Sequence, residues 1–268
     1  MPTFSHLNTL IHFTDNGEGI PLVFQHGLGS DINQPAEVAN DLPGVRFLSF
    51  DARGHGKSEL GDAQLLGFST LASDLVAMLD TLNLDGAIVG GISMGAGIAL
   101  RTALSHPKRV NGLILARPAW LDQPNPANLR VLVEIGKLIQ SYGAKRGKSL
   151  FVQSERYAKL RNTAPAVAES ALGQFDEPRA EECALRLLRI PQDVPNLNRA
   201  EWASIHIPTM VIGNRMDPIH PFEYAEALAE SIPHAVLVEI TPKSVDKALH
   251  LQELRENIQN FTQKRIGE

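Results

Sequence analysis

Short apolar runs that end in glycine or a turn residue recur along this chain, and between them apolar residues fall at helical spacing. The runs predict strands at Leu7–Thr14, Pro21–Gln25, Val45–Phe50, Gly86–Gly91, Val110–Ala116, Pro208–Gly213 and Ala235–Ile240. The helical spacing predicts helices at Pro35–Leu42, Ser69–Leu82, Pro221–Ile232 and Leu249–Lys264, and one after Ser93 that stops near His106-Pro107. Leu71, Leu75, Met78, Leu79 and Leu82 share one face of the second helix, with Ser69 or Thr70 as its N-cap. Strands alternating with helices predict an α/β fold, a mostly parallel sheet with helices on both faces. In such sheets active sites gather at the C-terminal ends of the strands.

The pattern changes between Arg117 and His206, a stretch of helical propensity with seven prolines and no convincing strand. It is too long for a plain loop and predicts a helical lid inserted over the strand ends. The expected organisation is a core made of 1–116 and 207–268, with 117–206 as the lid. Within the lid, Tyr142–Arg161 holds six Lys/Arg against one acidic residue, Glu155. A solvated helix face accounts for that most simply, with contact to an anionic substrate as the alternative.

Composition narrows the classes. The 268 residues are 43% hydrophobic and 21% charged, enough to bury a sizeable core. A net charge of −5 supplies no overall basic field for nucleic acid. The single Cys183 cannot form an intramolecular disulfide or a thiolate metal cluster, and reads as a small helix residue in a reducing compartment. Met1 to His6 lack a basic segment followed by an apolar core, and no apolar run reaches membrane-spanning length. A cytoplasmic protein acting on a small molecule, without nucleic-acid or membrane partners and as a monomer or homodimer, is the expectation.

The chemistry centres on Ala87–Leu100, where a strand, a tight turn and a helix carry Gly91-x-Ser93-x-Gly95. Glycines two residues either side of the serine let strand and helix approach where a Cβ would collide. The serine then projects from a strained turn at a helix N-terminus, a nucleophile-elbow arrangement suited to attack on a carbonyl. Such a serine needs a base and an orienting carboxylate, in the chain order Ser, Asp or Glu, His. Among nine histidines, His206 and His234 each precede a strand and so lie at the wrong end of the sheet. His220 shares a loop with the best acid, Asp217, which leaves little room to bridge to a serine on another strand. His250, about nine residues beyond the last strand, is left as the expected base. Asp217 sits four residues past a strand in a proline-bounded turn. It is the expected acid, with a purely turn-capping role as the bland alternative and Asp122, then Asp246, as the next choices. The N–H groups of Met94 and of Leu28, in His26-Gly27-Leu28-Gly29, are the candidate oxyanion donors, and His26 reads as a structural hydrogen-bonder.

Taken in order, His26-Gly27, Asp51-x-Arg53-Gly54-x-Gly56-x-Ser58, Gly91-x-Ser93-x-Gly95, Asp217-Pro218 and His250 resemble the α/β-hydrolase superfamily, in its lid-bearing branch of esterases, lactonases, C–C bond hydrolases and peroxidase-like enzymes. The resemblance spans nearly the whole chain. It implies Ser93 as nucleophile, Asp217 as acid, His250 as base, Leu28 and Met94 as the oxyanion hole, and neither cofactor nor metal. Asp51–Ser58 is scaffold in that family. Two features depart from its pattern: Leu249 stands where glycine commonly precedes the histidine, and Thr241–Leu249 is unusually polar. Serine at the elbow argues against haloalkane dehalogenase and epoxide hydrolase chemistry, which use aspartate there. The implied activity is hydrolysis of an ester, thioester or lactone of a small acid. A C–C bond hydrolase and a slow-turnover ligand-binding or signalling protein stand as alternatives.

Overall fold

The computed structural model describes residues 2–266; residue 1 and residues 267–268 of the expected core lie outside the described residues. Eight strands form one sheet: β1 Thr3–His6, β2 Thr9–Asn16, β3 Ile20–Gln25, β4 Val45–Phe50, β5 Ala87–Ile92, β6 Val110–Ala116, β7 Thr209–Gly213 and β8 Val236–Glu239. Their order is β1-β2-β4-β3-β5-β6-β7-β8, antiparallel across β1, β2 and β4 and parallel from there on.

Helices α1 Asn33–Ala39, α2 Phe68–Thr81 and α3 Met94–Ser105 lie between the earlier strands, with α10 Phe222–Ser231 and α11 Lys247–Ile266 closing the chain. β5 shows how the sheet is covered. Ala87 and Val89 join the apolar cluster that holds Leu71, Leu75, Ile98 and Leu228 of α2, α3 and α10. Ile88 and Ile92 join the cluster with Val38, Leu254 and Ile258 of α1 and α11. Period-two alternation within a fully buried strand has sorted its side chains onto two helical layers.

Between β6 and β7 the chain forms α4 Arg130–Tyr142, α5 Ala144–Val152, α6 Glu155–Thr163, α7 Pro165–Asp176, α8 Ala180–Cys183 and α9 Leu185–Arg189, and no strand among the described residues. Ile135, Ile139, Phe151, Phe175 and Leu187 from this segment extend the first apolar cluster, so these helices pack onto the core.

Three expectations change. The single strand at Leu7–Thr14 is a hairpin, because Leu7 and Asn8 adopt φ 47° and 54° and His6 pairs with Thr9 across them. Neither Ser69 nor Thr70 caps α2; the cap position is Gly67, and the carboxylate of Asp193 accepts from the Phe68 N–H at 2.7 Å. The last helix begins at Lys247 rather than Leu249, so His250 sits within its first turn. There its N–H donates to the Asp246 carbonyl at 3.0 Å.

Candidate active site

At the end of β5, Ser93 adopts φ 59°, ψ −110°, and α3 starts at the next residue. Left-handed backbone at a non-glycine residue is strained and persists only where its surroundings impose it. Here the Ser93 N–H is held by the Ala116 carbonyl at 2.9 Å. The flanking glycines are a steric requirement. A Cβ on Gly95 would lie 2.2 Å from the Gln25 carbonyl oxygen, and one on Gly91 would lie 2.6 Å from the Gly95 backbone. Ser93 is 8% exposed, and its Oγ has no hydrogen-bond partner among the described residues. Met94 opens α3, so its N–H has no acceptor within the helix.

The loop after β3 is tied down around one free donor. The Gly27 N–H donates to Gln34 Oε1 (2.7 Å), the Gly29 N–H to His55 Nε2 (3.0 Å) and the Ser30 N–H to the Gly27 carbonyl (3.1 Å). The Leu28 N–H, between them, finds no acceptor among the described residues. His26 donates from Nδ1 to the Gly27 carbonyl and accepts at Nε2 from the Ala52 N–H, the structural role expected of it. Burial pushes both His26 and His55 below the ordinary histidine value, which keeps each Nε2 lone pair available as an acceptor. Gln174 of α7 donates to the Gly29 carbonyl at 3.1 Å and so attaches the helical segment to this loop.

Past β7, the two oxygens of Asp217 do different work. Oδ1 accepts from the N–H groups of Ile219 and His220 at 3.0 and 3.3 Å, which is turn capping. Oδ2 accepts from His220 Nδ1 at 2.9 Å and from Arg117 Nη2 at 2.5 Å. Burial raises the Asp217 carboxyl, and His220 and Arg117 more than reverse this, leaving it far below the usual carboxylate range. For His220, burial is the leading influence and lowers its pKa; Asp217 opposes and Arg117 reinforces the shift. Arg117 Nη2 also lies 3.1 Å from His220 Nδ1. An ionised carboxylate is the better acceptor for the Nδ1 proton, so Nε2 carries the lone pair. That Nε2 is buried and has no hydrogen-bond partner among the described residues.

His250 is placed elsewhere. It is 1% exposed, and its Nδ1 donates to the Thr241 carbonyl at 2.8 Å. The expected His250–Asp217 hydrogen bond is absent among the described residues. Asp122 pairs with Arg199 at 3.1 Å, and Asp246 accepts from the Leu249 N–H at the start of α11.

A cavity of about 140 Å³ brings Leu28, Ser93, Arg117, Asp217, His220 and Lys243 to one space, and His250 is not among its lining residues. Val131, Leu132, Ala164, Val167, Ala171 and Gln174 close it from the helical segment. Three residues of this cavity were given no site role from sequence: His220, set aside there for sharing a loop with Asp217, and Arg117 and Lys243. The available signal was Asp217-Pro218-Ile219-His220-Pro221, where prolines on both sides of the histidine fold the turn so that residues three apart sit side by side. No group of three or more metal-ligating side chains occurs among the described residues. No helix there is long and apolar enough to cross a membrane.

The chain as a whole has counterparts. A family model described as "alpha/beta hydrolase fold" matches residues 20–251. The AB hydrolase superfamily protein YisY of Bacillus subtilis (strain 168) is 31% identical over 236 residues, 84% of each chain. The 2-hydroxymuconate semialdehyde hydrolase of Pseudomonas sp. (strain CF600) is 30% identical over 248 residues, covering 86% of this chain and 81% of that protein. Among solved structures, an enol-lactonase from Burkholderia xenovorans LB400 superposes with a TM-score of 0.74 at 22% identity, over 100% of both chains.

Proposed function

Since the chain belongs to the alpha/beta hydrolase fold family, we propose that it is a serine hydrolase cleaving an ester, thioester or lactone of a small organic acid. Ser93 is the nucleophile, His220 the general base in place of His250, and Asp217 the carboxylate that orients it. His220 Nε2 takes the Ser93 hydroxyl proton as Oγ attacks the carbonyl, and the N–H groups of Leu28 and Met94 hold the oxyanion. The imidazolium then protonates the leaving oxygen or sulfur, and the acyl group remains on Ser93. Neutral again, His220 draws a proton from water, whose attack releases the acid and restores Ser93. One observation carries the reading: the His220–Asp217 pair, with its partnerless Nε2, lines the same small cavity as the elbow serine. No hydrogen bond joins Ser93 Oγ to His220 Nε2 among the described residues; such contacts commonly tighten only in the complex with substrate.

The test is labelling with a fluorophosphonate probe, mapped by peptide mass spectrometry, beside turnover of a short-chain 4-nitrophenyl ester. Label on Ser93 and turnover, both lost in Ser93→Ala and reduced at least about a thousandfold in His220→Ala but less than about tenfold in His250→Ala, support it. The reverse ranking of the two histidines would return the base to His250. A folded protein with neither label nor turnover would sink the hydrolase reading.

The 30% identity to a 2-hydroxymuconate semialdehyde hydrolase favours one second reading, hydrolysis of a C–C bond by the same residues. Turnover of a vinylogous diketone with none of simple esters would select it.

A further inference from the structure

Four side chains that carry or can carry charge line the cavity: Arg117, Asp217, His220 and Lys243. Burial favours neutral His220, and Arg117 is matched by Asp217 through its ion pair. Lys243 has no ion pair or hydrogen bond among the described residues; burial, then Arg117 and Lys247, lower its pKa, and Glu37 and Asp217 oppose this from longer range. Two cations therefore face one carboxylate, which leaves the space around Ser93 with a net positive charge inside an acidic protein. Arg117 Nε is a buried donor without an acceptor, closed off from the space itself. The remaining polar lining, including Ser170, Gln174 and Ser244, is uncharged.

The basic stretch Tyr142–Arg161 does not contribute. None of its Lys or Arg side chains lines the cavity, and Lys148 and Arg156 are paired with Asp176 and Glu134. The positive charge in the cavity comes instead from the ends of β6 and β8, where Arg117 and Lys243 stand.

Resting on the hydrolase reading above, we propose that this cavity selects substrates carrying a free carboxylate away from the scissile carbonyl, with Lys243 as its anchor. The net charge draws an anion toward the site, and the unpaired Lys243 ammonium rewards a ligand with oxygen acceptors. A half-ester of a small dicarboxylic acid or a lactone bearing a carboxylate is a ligand of this kind.

Mono-4-nitrophenyl succinate and 4-nitrophenyl butyrate present similar acyl chains with and without the second carboxylate. The wild-type protein is expected to favour the succinate by about tenfold or more in kcat/KM, the worth of one hydrogen bond to a charged group. Added salt should shrink this ratio. In Lys243→Met the ratio should approach one through a rise in KM for the succinate, and Lys243→Arg should retain most of it. A purely structural role for Lys243 would move both substrates together. A ratio near one in the wild type, or one that survives in Lys243→Met, overturns the proposal. Calorimetry on Ser93→Ala separates this from a failure of the hydrolase reading. Even if no ester is turned over, monomethyl succinate should bind where methyl butyrate does not, and Lys243→Met should abolish that binding. Equal affinity for the two overturns the anchor independently of catalysis.

Discussion

At Asp217, Oδ1 serves the turn and Oδ2 serves His220 and Arg117, so turn capping leaves one oxygen to hold the proposed base. Arg117 adds a control on the proton. Its guanidinium beside the imidazole reinforces the downward shift that burial begins in His220. A base must be neutral to act, so kcat/KM should fall on the acid side through a group titrating below 6.5, the ordinary histidine value. In Arg117→Met the nearby cation is gone and the acid limb should move to higher pH. A pH profile of kcat/KM on a neutral ester reads this directly, and an unmoved or downshifted limb would detach Arg117 from the base. Ser93 was legible in sequence because its constraint is local, two glycines that a neighbouring carbonyl forbids to carry Cβ atoms. The proposed base was not. Linear spacing ruled out His220 for sharing a loop with Asp217, while the folded turn brings His220 and Asp217 to the same cavity as Ser93.

Among the elements, β4 and β6 have the bounds the apolar runs predict, since both are buried strands ended abruptly by polar or turn residues. The β1–β2 hairpin was hidden because Leu7 sits at a left-handed position, where a branched apolar residue is a poor turn signal. The N-terminus of α2 illustrates a different limit. Its first N–H is met by Asp193, 125 positions along the chain, so no local capping pattern could reveal it. A Cβ at Gly67, the cap position, would sit 2.5 Å from that carboxylate, which explains why a small residue precedes the helix. The same contact fastens the helical segment between β6 and β7 onto α2. Asp193→Ala should therefore cost about 1 kcal/mol, the usual worth of a lost cap. Urea unfolding would show it as a lower midpoint with the slope retained, and an unchanged midpoint would mean that water replaces the carboxylate without loss.

Across the whole molecule, several histidines have been taken out of water in the neutral form. His26, His55, His220 and His250 all sit below the ordinary value, with burial the leading cause in each. His26 and His55 are fully buried, with ring centroids 5.0 Å apart, and each uses Nε2 to accept from a backbone N–H. Protonating either would turn that acceptor into a donor facing a donor beside the Leu28 loop. The unfolded chain binds these protons near pH 6.5, and the folded chain only at lower pH. Below 6.5 the unfolded state therefore holds more protons, and stability must fall as pH falls through the window between the unfolded and folded values. The thermal midpoint should accordingly be level from about pH 8 to 7 and drop progressively toward pH 5. Calorimetric scans at half-unit steps, in buffers of low ionisation enthalpy, would trace it. His55→Asn removes one titrating group and should flatten the slope even though it lowers the midpoint at neutral pH. A wild-type midpoint that held constant or rose between pH 7 and 5 would mean that other groups compensate the buried imidazoles, and that the loop bearing Leu28 tolerates a charge beneath it.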